Sequence, residues 1–159
     1  MGTRSYIETS VVSYLVSRPS RDPVTAWRQR LTNEWWLEQR GQFACVISQE
    51  VVAEAMEGDS SMVVKRMAAL QELPLITSGP KSVQLAADFL ERGLFPVNAG
   101  ADANHLAIAT CSEVDYLLTW NYRHLANAQV LHRLEKLLNE RACTCRVFAL
   151  PKNSWEYEL

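Results

Sequence analysis

Three stretches of this sequence put an oxygen-bearing side chain where the chain should change direction. In "SYIETS", Glu8 follows a short run suited to a strand. In "GADANHLAIAT", Asp102 stands at the amino end of a long apolar segment, and in "YLLTWN", Asn121 follows a second strand-like run. Two carboxylates and a carboxamide carry the hard oxygen donors that Mg2+ and Mn2+ prefer over the softer ligands of zinc. Each residue also has an ordinary reading. Glu8 can belong to a turn or cap, Asp102 is of a type that caps helices, and Asn121 suits a turn. Only the fold can decide whether they meet.

The elements that must position them can be read from periodicity. Short apolar runs alternate with longer amphipathic ones, the pattern of an α/β domain with a mostly parallel sheet. Strands are expected at "SYI", 43–47, 73–76, 116–119 and 146–150. Helices are expected at about 11–17, 23–39, 48–57, 60–71, 80–92, 101–112 and 126–141. In "SQEVVAEAMEG", Glu50, Glu54 and Glu57 share one helical face, while Val51, Val52, Ala55 and Met56 share the other. Ser48 is expected as the N-cap of that helix, and Gly58 as its end. Helices packed on a parallel sheet start at the sheet's carboxyl edge. Glu8 and Asn121 leave strands at that edge and Asp102 starts a helix there, which is where ligands bind in open α/β sheets. Asp115 opens its strand and belongs to the opposite edge.

Composition narrows the class. With 159 residues, 48% of them hydrophobic and 21% charged, the chain suits one globular domain spanning 1–159. No apolar run reaches the roughly 18 residues that a membrane span needs, and "MGTRSYIE" reaches charge too early for a signal peptide. A cytoplasmic location is the expectation. Cys45 and Cys111 lie in apolar stretches, and Cys143 and Cys145 are one residue apart, which is not a zinc spacing. The net charge of −2 means that nucleic acid cannot be held by the overall field. A local basic patch or a bound cation would have to do so. "SGPKS" lacks the first glycine of a phosphate-binding loop and its spacing, which argues against a nucleotide-binding enzyme.

Taken together, "YIETSVVSYL", "SQEVVAEAMEGD", "GADANHLAIAT" and "YLLTWNYRHLAN" resemble the PIN domains of VapC-type toxins, in order and spacing over essentially the whole chain. The resemblance implies a three-layer α/β fold, with a parallel sheet of about five strands flanked by helices and an acidic cleft at the carboxyl edge. It implies a Mg2+- or Mn2+-dependent endoribonuclease. In that frame Glu8, Glu54, Asp102 and Asn121 are the catalytic positions, and Glu8, Glu54 and Asp102 are the metal ligands. Glu8 stands where the family commonly has Asp, and Asn121 stands where it commonly has a fourth acid. Glu for Asp keeps the charge and adds a methylene; Asn for Asp removes a charge and keeps a carbonyl oxygen. The resemblance further implies an RNA substrate, attack by metal-activated water leaving 5′-phosphate and 3′-hydroxyl ends, a homodimer and a small antitoxin partner.

Around these positions, Thr9 and Arg123 are assigned to the substrate, while Thr9 or Ser10 could also cap the following helix. His105, one turn after Asp102, reads more naturally as a buried histidine with a hydrogen-bond partner than as a site residue. Trp120 reads as packing, although it and His124 could also meet a base or a phosphate. Trp27, Trp35 and Trp36 lie on a charged helix and are either interface anchors or packed on the sheet. The aromatic tail "KNSWEYEL" is expected to dock on its own domain or on a second subunit. The competing function, motivated by the departures at Glu8 and Asn121, is a catalytically weak PIN-like module that binds RNA or a protein.

Overall fold

The computed structural model describes residues 2–140 and the strand Arg146–Ala149. Five strands, β1 (Thr3–Ile7), β2 (Phe43–Ser48), β3 (Leu75–Ile76), β4 (Tyr116–Thr119) and β5 (Arg146–Ala149), form one sheet in the order β3-β2-β1-β4-β5. Every neighbouring pair is parallel. Tyr6 lies opposite Val46 on one side and Leu117 on the other. Strands covered on both faces have no need to alternate polar with apolar residues. Accordingly Ser5, Tyr6, Ile7 and all of β4 are buried.

Among the described residues, seven α-helices accompany the sheet: α1 (Thr9–Val16), α2 (Pro23–Glu34), α3 (Gln49–Ala55), α4 (Ser60–Leu70), α5 (Pro80–Glu91), α6 (Gly100–Cys111) and α7 (Ala128–Glu140). Helix α1 packs against α2, α3 and α4, and α5 packs against α6. The expected caps are present. Ser48 starts α3, Asp59 starts α4 and accepts from the Met62 amide, and Gly58 between these helices takes a φ of +88°, which glycine adopts without strain. "SGPKS" is a helix start, with Gly79 as the cap and Pro80 in the first turn of α5.

Four local expectations need correction. The edge strand β3 is only two residues long because Pro74 has no N–H to donate; it contributes its carbonyl to the Ile47 amide instead. The helix expected over 23–39 is α-helical to Glu34 and then widens into a π-helical turn, Trp35–Gln39. Met56, placed by periodicity on the apolar face, caps the end of α3 and is 60% exposed. Cys111, in the last turn of α6, is exposed, whereas Cys45 is buried. Cys143, Cys145 and the tail 152–159 lie outside the described residues.

Candidate functional site

The site begins where β1 stops. The Glu8 amide still bonds the Leu118 carbonyl of β4, and Glu8 then caps α1. Its Oε2 accepts from the Ser10 amide at 2.9 Å, and its Oε1 accepts from the hydroxyls of Ser10 at 2.6 Å and Thr119 at 2.5 Å. The methylene that distinguishes Glu from Asp lets one side chain cap its own helix and reach the neighbouring strand. Glu8 is 6% exposed. Both hydroxyls also accept: Ser10 from the Trp120 amide and Thr119 from the Asn121 amide.

From Asn121 the chain of contacts continues to Asp102. The Asn121 Nδ2 donates to Asp102 Oδ1 at 3.1 Å, and His124 Nδ1 bonds Asp102 Oδ2 at 2.9 Å. Asn121 Oδ1 accepts from the amides of Arg123 and His124, at 3.1 and 2.9 Å. The carbonyl oxygen that Asn keeps in place of a carboxylate is therefore turned into its own loop, as the turn reading of Asn121 requires. Asn121 reaches the site through its amide group, by orienting Asp102. Asp102 itself lies in the first turn of α6, whose remaining residues from His105 to Thr110 are buried.

A second set of contacts holds Glu54. Its Oε1 accepts from the Thr9 hydroxyl at 2.8 Å and is bonded to His105 Nε2 at 2.5 Å. The other imidazole nitrogen, Nδ1, is 2.6 Å from the Tyr6 hydroxyl, which is also 2.6 Å from the Ser48 hydroxyl. His105 is 1% exposed and the Glu54 side chain 35% exposed. Burial works against a charged His105, but the hydrogen bond and charge of Glu54, with smaller help from Glu8 and Asp102, raise its pKa above the ordinary value. Burial likewise works against ionised Glu54, and the bonds from His105 and Thr9 outweigh it and lower its pKa. Tyr6 is pushed up by burial and by the surrounding carboxylates Glu50, Glu8 and Glu54, so its phenol stays neutral.

The residues expected to meet do converge, in two hydrogen-bonded halves joined by the segment Glu8-Thr9-Ser10. One holds Glu8, Asn121 and Asp102; the other holds Glu54. Thr9, expected at the substrate, is buried and donates to Glu54, so it supports an acid instead of presenting itself to a ligand. Arg123 is exposed in the turn after β4. Asp115 sits at the opposite edge, accepting from the Arg4 amide. His105 is the buried, partnered histidine that its spacing favoured. Tyr6 and Thr119 were not singled out. The one available signal was a polar handle inside an apolar strand, and such a group needs a partner when buried.

The donor set was tested against a hard divalent cation. Glu8 Oε2 and both Asp102 oxygens each accept a single hydrogen bond and so keep a lone pair for a cation. Glu50, one turn before Glu54, has a buried Oε2 with no hydrogen-bond partner, a state that an ion or a water would relieve. Among the described residues no three His, Cys, Asp or Glu side chains stand together as a ready cage. The donors therefore fit Mg2+ or Mn2+ in type, as a partial shell that leaves room for the several waters that Mg2+ retains.

No family model matches the sequence and no curated relative matches it. Among solved structures, the chain is similar to a chain of VapBC2 from Rickettsia felis, crystallised bound to a DNA fragment from their promoter. The two share 14% identity at a TM-score of 0.57, over 92% of this chain and 98% of that one. At that identity the likeness concerns architecture: this chain has a PIN-like α/β fold, a parallel sheet flanked by helices.

Proposed function

We propose that the chain is a Mg2+- or Mn2+-dependent endoribonuclease, the toxin half of a toxin–antitoxin pair. The observation that carries this reading is the convergence of Glu8, Glu54, Asp102 and Asn121, from four distant parts of the sequence, at the carboxyl ends of β1 and β4. Glu8 and Asp102 would hold the cation, with Glu50 adding negative charge beside it, while Glu54, expected as a third ligand, is engaged by Thr9 and His105. The cation, when bound, supplies an activated water and stabilises charge on the phosphate oxygens. The chain's own residues do the positioning. Ser10 and Thr119 lock the Glu8 carboxylate, Asn121 and His124 orient Asp102, and His105 fixes Glu54. Arg123, exposed one turn beyond Asn121, is free to approach a phosphate. An antitoxin partner, a homodimer and a cytoplasmic location belong to the same proposal. Among the described residues no helix is long and apolar enough to cross a membrane.

The deciding experiment is cleavage of total RNA by the purified chain in Mn2+, Mg2+ or EDTA, beside Asp102→Ala prepared identically. Metal-dependent products that vanish in the variant are expected. Equal cleavage by both proteins would assign the activity to a contaminant. RNA binding without cleavage in either metal would favour the binding-module reading, which the inward-turned Asn121 carbonyl supports.

A further inference from the structure

Beside the carboxylates lies a group of aromatic rings to which the nuclease reading gives no role. Trp120, the residue between Thr119 and Asn121, is 3% exposed, and its indole N–H donates to Thr32 at 2.7 Å, so it is a fixed hub. Three rings meet it: Tyr14 at 5.6 Å, Trp27 at 6.2 Å and Tyr122 at 6.1 Å between centroids. Trp27 and Tyr122, which both meet the buried hub, are 43% and 41% exposed. The Arg28 guanidinium stands 5.2 Å from the Tyr122 ring centroid and 5.4 Å from that of Trp120. It donates to the Tyr14 hydroxyl, its Nε is buried without a hydrogen-bond partner, and no carboxylate lies within salt-bridge distance of it among the described residues.

We propose that Trp27 and Tyr122, braced by Trp120, form a stacking platform for an unpaired base of the RNA strand whose flanking phosphate is met by Arg28. The proposal rests on the RNA substrate proposed above and specifies it as single-stranded. Half-exposed aromatic rings beside the carboxylates offer π faces, and stacking accepts any base because every base has a π face. A cation held against rings, with no carboxylate in salt-bridge contact among the described residues, complements a phosphate in a protein whose net charge is −2. The platform continues directly into the site: Trp120 donates its amide to Ser10, which holds Glu8, and Asn121, which orients Asp102, separates Trp120 from Tyr122. A base paired within an A-form duplex would have its faces covered by its neighbours and could not use the platform.

The test is fluorescence anisotropy of a labelled single-stranded 10-mer oligoribonucleotide and of the same strand in a duplex. Ca2+ replaces Mg2+, and strand integrity is checked by gel. Trp27→Ala and Tyr122→Leu should each weaken single-strand binding about tenfold, the scale of one lost stacking partner. Trp27→Phe should restore most of it. Arg28→Gln should reduce the salt dependence by roughly one phosphate contact. Wild type should prefer the single strand to the duplex. Equal affinity for both forms, or unchanged affinity in both aromatic variants, overturns the proposal. Unchanged RNA affinity combined with a shifted elution volume would assign the rings to a protein contact and overturns it too. Failure of the nuclease reading would show separately, as single-strand binding that depends on the platform with no metal-dependent cleavage.

Discussion

The two halves of the site satisfy their carboxylates by opposite means. Glu8 is held by two hydroxyls and a backbone amide, all neutral donors. Glu54 is held by Thr9 and by a buried imidazole whose pKa it raises, so its charge is answered by a partner inside the protein. Hydrogen bonds from neutral groups orient a carboxylate without cancelling its field, whereas a charged partner does both. Glu8 is therefore the carboxylate whose partners leave it to the proposed cation, while Asp102 shares one oxygen with His124. The Glu54–His105–Tyr6–Ser48 half is built as a brace that ties α3 and α6 to β1.

The largest effect should come from cutting the brace. His105→Ala removes two buried hydrogen bonds and leaves a cavity lined by Tyr6 and Glu54, costing on the order of 3 kcal/mol. For a domain of this size that corresponds to a fall in Tm of about 6–12 °C. Glu8→Gln keeps the side chain's shape and should cost only about 1 kcal/mol, because hydroxyl donors can reverse to suit an amide. Its signature is chemical: Mn2+ is expected to raise the Tm of the wild type, and that rise should be absent in Glu8→Gln. The comparison breaks if Glu8→Gln destabilises as much as His105→Ala, or if it still responds to Mn2+.

The pH dependence sharpens the same contrast. A raised His105 pKa means that the stability it contributes is complete below its ordinary value of 6.5 and is lost as pH rises through the folded value. A lowered Glu54 pKa means that its contribution is complete above the ordinary 4.5 and is lost as pH falls through the folded value. The pair therefore supports the fold most between 4.5 and 6.5. Urea unfolding of wild type and Glu54→Gln should differ more at pH 5.5 than at pH 9. An equal difference at both values would mean that the His105 proton does not set the contribution of the pair.

How far this could be read beforehand follows the same division. The parallel sheet, the placing of the helices and the acids at the carboxyl edge depend on local periodicity, and a sheet's edge rule carries Glu8, Asp102 and Asn121 to one place. β4 matches its expected residues, 116–119. The brace could not be read, because it rests on where side chains point after packing. Tyr6 finds Ser48 and His105 at separations of 42 and 99 residues, and nothing in "SYI" distinguishes a phenol that bonds from one that merely fills space. The same limit hid the direction of Asn121, since a carboxamide offers a donor and an acceptor and only the loop decides which faces Asp102. Thr9 was placed at the substrate for a related reason: the first residue of a helix at a cleft edge can face out or in, and here it faces in.

Thr9 gives the smallest expected effect, and it bears on the joint between the two halves. Thr9→Val replaces the hydroxyl by a methyl of similar size at a position 8% exposed, and Glu54 keeps its bond to His105. A net loss of about 1 kcal/mol is expected from the missing hydrogen bond, or roughly 2–4 °C in Tm. In a double-mutant cycle with Glu54→Gln, most of that loss should vanish, because its acceptor has already changed. A residue that contacted substrate would behave differently, raising KM for RNA while leaving Tm and the cycle untouched. Such a result would put Thr9 back at the substrate and leave the two halves joined only by the backbone of Glu8-Thr9-Ser10. A coupled loss of stability would instead make Thr9 the hydrogen-bonded link through which the braced half holds the cation-attracting half in register.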